Sequence, residues 1–258
     1  MPKFAANLSM MFNEVDFLDR FEAASKAGFH GVEYLFPYDF DKEVLVDALK
    51  SNNLTQVLHN LPAGDWGAGE RGIACHPDRV DEFRDGVAKA IDYATGLGCK
   101  QVNCLAGIAP VDTDPKLLQK TFVENLTFAA GQLAEQGIRL LIEPINTIDI
   151  PGFYLNGTAQ GLDVLKAVGS DNLALQYDIY HMQIMEGDLA RTIQNNLSHI
   201  DHIQLADNPG RHEPGTGEIN YPFIFAFLDK IGYRGWIGCE YKPATTTNEG
   251  LGWLSAYL

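Results

Sequence analysis

The chain lacks the long apolar runs and paired cysteines that would point to a membrane or an oxidising compartment. No apolar run approaches the roughly 20 residues that a membrane helix requires. The first residues, MPKFAANLSMMF, lead directly into a strand-like segment and do not resemble a signal peptide. The four cysteines form no CxxC pair, and a cysteine near a predicted element is usually a small buried apolar residue. We therefore expect a cytoplasmic protein.

Basic residues are scarce. The chain has 19 Lys plus Arg against 34 Asp plus Glu, which gives a formal net charge of −15. A surface this acidic repels the phosphate backbone and anionic lipid, so we expect neither a nucleic-acid nor a membrane partner. A small anionic substrate is still compatible with this charge, because basic groups within a cleft can override the field of the whole protein.

No linker, low-complexity tract or internal repeat divides the 258 residues. Strand-like runs alternate with helical patterns from end to end, which is typical of a parallel sheet. The predicted strands cover 3–8, 31–35, 54–59, 101–106, 138–143, 173–178, 202–206 and 235–240. The helical patterns lie near 18–27, 44–49, 83–91, 115–136, 158–168, 186–197 and 221–230. This order predicts an α/β fold, a single (β/α)8 TIM barrel over residues 1–258.

Four of the predicted strands end near an oxygen-bearing side chain: Glu143, Asp178, Gln204 and Glu240. They are separated by 35, 26 and 36 residues, about one βα unit each. The C-terminal ends of barrel strands meet at one mouth, so these side chains should converge there. Converging carboxylates repel one another unless a cation is present, and oxygen ligands suit Mg²⁺ or Mn²⁺. His59 and His181 would turn the site toward zinc if they were ligands.

Two long connections, 60–75 and 207–220, follow the third and seventh predicted strands and should therefore border the same mouth. A substrate carboxylate would need a cation near the metal. Arg211 and His212 in the second loop and Arg71 in the first are the candidates, and Lys242, two residues after Glu240, is a weaker one.

The segments that carry the chemistry also resemble a known family. LIEPIN, QYDIYHMQ, HIQLADNPGRHEPGTGEINY and GCEYKP are similar to the hydroxypyruvate isomerase family, which lies within the xylose isomerase-like TIM barrel superfamily and includes 2-oxo-tetronate isomerases. The resemblance covers nearly the whole chain. It implies metal-assisted isomerisation of a small hydroxy-keto acid, with Glu143 and Glu240 as the acid/base pair. It also implies that Glu143, Asp178, Gln204 and Glu240 hold the cation. We count His59 and His181 among the substrate-binding candidates.

Three other functions remain as alternatives. A ketose 3-epimerase would use the same barrel and the same paired Glu on an uncharged, longer sugar, and a hydride shift competes with proton transfer as the route. A metal-dependent abasic-site nuclease would use several zinc ions, but a net charge of −15 opposes it. A sugar-acid binding protein would have no need of two carboxylate bases.

The C-terminal segment, TTTNEGLGWLSAYL, predicts a short final helix. Its large side chains, Trp253, Leu254 and Tyr257, would pack either on the barrel or on another subunit. The second arrangement would make the protein a homo-oligomer.

Overall fold

The computed structural model describes residues 2–257. Eight parallel strands close into a barrel in chain order, which confirms the predicted fold. The strands are β1 (Lys3–Asn7), β2 (Gly31–Glu33), β3 (Thr55–Asn60), β4 (Gln101–Cys104), β5 (Arg139–Ile142), β6 (Leu173–Asp178), β7 (Ile200–Leu205) and β8 (Trp236–Cys239). Closure occurs between β1 and β8, where Ala5 pairs with Gly238. All eight predicted strands are present, although most of their ends shift by one or two residues.

Helices surround the barrel. They are α1 (Asp19–Lys26), α2 (Lys42–Ser51), α3 (Val80–Leu97), α4 (Pro115–Ala134), α5 (Thr158–Val168), α6 (Ile179–Met185), α7 (Leu189–Asn195), α8 (Tyr221–Ile231) and α9 (Thr247–Gly250). Short 3₁₀ helices cover Pro77–Arg79, Leu197–His199 and Leu251–Ala256. The pattern predicted near 186–197 corresponds to α7, whereas α6, which precedes it, was not predicted. Asp178 ends β6 and caps α6 at once, because its Oδ1 accepts hydrogen bonds from the backbone N–H groups of Tyr180 and His181.

The main apolar core lies between the sheet and the helices. A separate small cluster consists of Ala5, Val57, Leu58, Leu141 and Ala174, with Trp236 packed against it. Leu141 lies on the same face of its strand as residue 143, since alternate residues of a strand face the same side. Leu141 therefore lies one layer below Glu143. Among residues 2–257, no helix is long and apolar enough to cross a membrane.

The C-terminal segment packs on its own barrel. The Trp253 ring lies 5.1 Å from Phe4 and 5.8 Å from Phe225, measured between ring centroids. Tyr257 makes edge contacts with the same two rings at 5.7 and 5.1 Å. Leu254 is buried. Of the two arrangements that the sequence left open, the structure shows the packing within one chain.

Candidate active site

Three of the four predicted metal ligands lie together at the mouth of the barrel. The carboxylates of Glu143, Asp178 and Glu240, with the imidazole of His181, each offer an atom within 4.8 Å of the others. All four side chains are buried. Asp178 ends β6, and Glu143 and Glu240 directly follow β5 and β8. Strands that are distant in sequence thus converge as the barrel geometry requires.

The fourth predicted ligand, Gln204, lies in β7 opposite Asp178 in the strand register. Its side-chain amide is engaged by two buried polar neighbours. Oε1 accepts a hydrogen bond from Gln176 at 2.6 Å, and Nε2 donates one to Glu33 at 2.7 Å. Gln204 is therefore a neighbour of the cluster whose amide already has partners on both sides.

The two proposed acid/base carboxylates have different partners. Glu143 accepts a hydrogen bond from Asn103 Nδ2 at 2.9 Å. Glu240 accepts one from Arg211 Nη2 at 2.6 Å and a longer one from Asn7 Nδ2 at 3.4 Å. An amide thus holds one carboxylate, whereas an arginine neutralises the other.

Burial and mutual repulsion raise the pKa values of these carboxyl groups. Burial, followed by the charges of Glu240 and Asp178, raises the pKa of Glu143 well above its usual range. Burial also raises the pKa of Glu240 to about 8, although the Arg211 charge opposes it. Burial raises the pKa of Asp178 to about 6, again against Arg211. The cluster therefore needs protons or a cation to offset its negative charge.

The donor set fits a divalent cation. Oδ1 of Asp178 caps α6, but Oδ2 is buried and has no hydrogen-bond partner in residues 2–257. A buried carboxylate oxygen without a partner is costly unless a ligand binds it. Because the other carboxylates lie beside it and supply oxygen, Mg²⁺ or Mn²⁺ suits the set.

An open cavity of about 690 Å³ lies over the cluster. Both long loops contribute to its wall, as predicted, through Trp66, Arg71, Pro209 and Arg211. From the other predicted site residues, Glu143, His181, Glu240 and Lys242 line it.

Two predicted substrate-binding residues do not line the cavity. His59 is fully buried, where its Nδ1 lies 3.1 Å from the carbonyl oxygen of Asn60. Burial lowers its pKa to about 4. His212 contacts the Lys242 carbonyl through Nδ1 at 2.7 Å. His59 is a core group in this structure, and His212 connects its loop to the segment after β8.

Arg71 and Arg211 are held differently. The Arg71 guanidinium stacks over Trp66, 4.0 Å from the ring centroid, and donates to the carbonyl oxygens of Trp66 and Glu70. In the part of the chain that the structure describes, no carboxylate pairs with it. The Glu70 side chain pairs with Arg79 instead. Arg211 pairs with Glu240, so part of its charge is already used.

The sequence reading missed several polar residues beneath and beside the cluster. Glu33, at the end of β2, is buried and accepts hydrogen bonds from Asn7 at 3.0 Å and from Gln204. Its second oxygen lies 2.8 Å from His202 Nε2. The signal was available: a carboxylate near the end of a strand, as at the four predicted positions. It was overlooked because the strand was predicted to continue to residue 35.

Comparisons with known proteins identify the family. The model of the xylose isomerase-like TIM barrel family matches residues 21–257. The hydroxypyruvate isomerase of Escherichia coli K12 is 57% identical over the full length of both chains. A 2-oxo-tetronate isomerase of Cupriavidus necator is 50% identical, covering 100% of this chain and 99% of its own.

Solved structures agree on the fold. A crystal structure from Brucella melitensis, described as an AP endonuclease of family 2, superposes with a TM-score of 0.98 at 50% identity, covering 100% of this chain and 99% of its own. A 3-keto-D-glucoside 4-epimerase from E. coli shares only 21% identity with a TM-score of 0.79, over 99% of each chain. That second likeness shows the fold alone. From the full-length relatives, the chain belongs to the hydroxypyruvate isomerase family of xylose isomerase-like TIM barrels, and it is an isomerase.

Proposed function

We propose that this enzyme interconverts the ketone and aldehyde forms of a short hydroxy-keto acid by metal-assisted isomerisation. Hydroxypyruvate and tartronate semialdehyde are the preferred pair, and a 2-oxo-tetronate is the closest rival. The observation that carries the proposal is the pair Glu143 and Glu240, whose carboxylates lie within 4.8 Å of each other in a cavity that also contains arginines. The names of the full-length relatives support the substrate class.

Glu143, Asp178, Gln204 and Glu240 are the residues that would hold Mg²⁺ or Mn²⁺. When bound, the cation would polarise the substrate carbonyl and offset the charge that develops on its oxygen. The unpartnered Oδ2 of Asp178 supports this assignment. For Gln204 to be a ligand, its Oε1 would have to bind the cation, either while it still accepts the hydrogen bond from Gln176 or in place of that bond.

The two Glu would move the proton. One carboxylate removes a proton from the hydroxyl-bearing carbon next to the carbonyl, and a carboxyl group returns a proton to the former carbonyl carbon, while the hydroxyl proton passes to the former carbonyl oxygen. Raised pKa values suit this task, because a group with a pKa near neutrality can both accept and donate. Arg211 would keep Glu240 oriented and limit its repulsion of Glu143.

Arg71 is the better candidate for the substrate carboxylate. Its guanidinium lies over the Trp66 ring, and its hydrogen bonds within the described chain go to backbone carbonyls, so its charge is available to an anion. Lys242 is a second cation on the cavity wall. An enzyme for an uncharged ketose would not need either charge.

Ketose 3-epimerisation is the second candidate function. The cavity volume of about 690 Å³ favours it, because a three-carbon acid would fill only a small part of that space. A nuclease is not favoured despite the description of the Brucella protein, since the chain carries a formal charge of −15.

The decisive experiment incubates Mn²⁺-loaded protein in heavy water with three- and four-carbon oxo-acids and with uncharged ketoses. The proposal predicts aldehyde–ketone interconversion of an oxo-acid with deuterium incorporated at carbon. The Glu143→Gln protein serves as the background control. Turnover of ketoses alone would replace the proposal with epimerisation, and isomerisation without deuterium would replace proton transfer with a hydride shift.

A further inference from the structure

Every polar atom of the Asn146 side chain is engaged. Asn146 lies between β5 and α5 and is fully buried. Its Oδ1 accepts hydrogen bonds from the backbone N–H groups of Ile148 at 3.0 Å and Asp149 at 2.7 Å. Its Nδ2 donates to Asp149 Oδ2 at 3.2 Å and lies 2.6 Å from His181 Nδ1.

These partners fix the orientation of the amide. Backbone N–H groups only donate, and an ionised carboxylate only accepts. Reversing the Asn146 amide would set its nitrogen against two N–H groups and its oxygen against the Asp149 carboxylate. The nitrogen must therefore face His181, whose Nδ1 has to accept.

The orientation of Asn146 decides where the proton of His181 lies. A ring that accepts at Nδ1 has no proton there, so it is not the imidazolium, in which both nitrogens donate. A neutral imidazole that accepts at Nδ1 carries its hydrogen on Nε2. That Nε2 lies 3.7 Å from Asp178 Oδ2 and 3.9 Å from Glu143 Oε1, on the cavity wall.

We infer that Asn146 is a positioning residue that fixes the tautomer of His181, so that Nε2–H donates a hydrogen bond into the cavity and is not free to bind the cation. His181 is thus adjacent to the carboxylates without adding a nitrogen ligand, and the ligand set stays rich in oxygen. The use of this donor on a substrate oxygen rests on the proposed function, whereas the tautomer itself does not.

Nitrogen NMR tests the tautomer directly. Two-bond ¹⁵N–¹H spectra of uniformly labelled protein separate a protonated ring nitrogen from an unprotonated one, and the His181→Asn protein assigns the signal among the seven histidines. We expect a protonated Nε2 and an unprotonated Nδ1. A proton on Nδ1 would overturn the inference. The measurement needs neither a cation nor turnover, so its failure is separate from failure of the isomerase proposal.

A charge-conserving pair of substitutions tests the cause. Asn146→Asp combined with Asp149→Asn keeps the net charge of the loop but presents an acceptor to His181 Nδ1, so the proton should move to Nδ1 and expose the Nε2 lone pair. Zn²⁺ affinity relative to Mn²⁺, measured by calorimetry, should then rise about tenfold or more. Asp149→Asn alone is the control and should keep the wild-type tautomer and metal preference. An unchanged tautomer in a folded double variant would refute the role of Asn146.

Discussion

Arg211 donates from Nη2 to Oε2 of Glu240 at 2.6 Å, so one guanidinium lies between the loop after β7 and a carboxylate that follows β8. The backbone reinforces this link, because Lys242 N–H donates to the Arg211 carbonyl at 2.8 Å. Arg211 has a positive φ of 56°, a conformation that the surrounding contacts must maintain. The position of the loop after β7 and the charge of the Glu240 carboxylate are therefore coupled.

Replacing either proposed acid/base residue should stop proton transfer while leaving the fold intact. We expect Glu143→Gln and Glu240→Gln each to lower kcat by about a hundredfold or more, because the amide cannot exchange the proton. Steady-state isomerisation with Mn²⁺ measures this. Glu186→Gln is the control, since Glu186 contacts Thr158 outside the cavity. Near-normal turnover with metal still bound would remove that residue from the mechanism.

Chelation should abolish activity, and Mg²⁺ or Mn²⁺ should restore it. Asp178→Asn should weaken Mn²⁺ binding with little change in the free energy of unfolding, because asparagine also caps a helix. Asp178→Ala should weaken binding and, in addition, cost about 1 kcal/mol from the lost α6 cap. Calorimetry and urea unfolding separate the two effects. The metal site is refuted if the wild type binds no divalent ion.

The two arginines should differ in kinetic effect. Arg71→Ala should raise KM for an oxo-acid with little change in kcat, since a group that binds the carboxylate equally in ground and transition states contributes uniform binding. Arg211→Ala should also lower kcat, because it removes the guanidinium that pairs with the Glu240 carboxylate. Side-by-side kinetics test this. Wild-type KM values in both variants would favour an uncharged ketose.

Cation binding should stabilise the protein more at pH 8 than at pH 5. The folded pKa of Glu240 is raised to about 8, so its protonated form favours folding, and this contribution is lost as the pH rises from about 4.5 to 8. At pH 8 a bound cation would offset the negative charge that the lost Glu240 proton leaves. At pH 5 the cation would have to displace that proton. The shift in Tm with added Mn²⁺ measures the difference. An equal shift at both pH values would contradict it.

Buried His59 should destabilise the fold in acid. Its folded pKa is lowered from 6.5 to about 4, so between these values the unfolded chain binds a proton that the folded chain does not. Stability should fall as the pH falls below about 6.5. Urea unfolding should show that wild type loses about 1–2 kcal/mol more than His59→Gln between pH 7.5 and 5. Parallel curves would show that His59 is protonated equally in both states.

The sequence predicted the eight strands and three of the clustered carboxylates because both follow from local patterns: alternation along the chain and a polar residue at a strand end. It missed α6 because no turn separates that helix from β6, and Asp178 serves both elements. Glu70 precedes Arg71 in the sequence, but the fold pairs its side chain with Arg79. Such ion pairs depend on loop conformation, which adjacency in the sequence does not specify.

The orientations of the side-chain amides of Gln204 and Asn146 could not be predicted from the sequence for a related reason. Which side-chain atom of Gln204 faces Glu33, and which atom of Asn146 faces His181, depends on the donors and acceptors around each amide, and these come from several elements. His59 and His181 look alike as buried histidines, yet only His181 lines the cavity.

The junction of β1 and β8, where the barrel closes, lies at the site. Asn7, in the first strand, donates to Glu33 and to Glu240, which follows the last strand. During synthesis the other proposed ligands emerge before Glu240, so the proposed ligand set would be complete only after the two ends of the chain have met. At the proposed metal site, cation uptake by a nascent or refolding chain would therefore report that the barrel has closed.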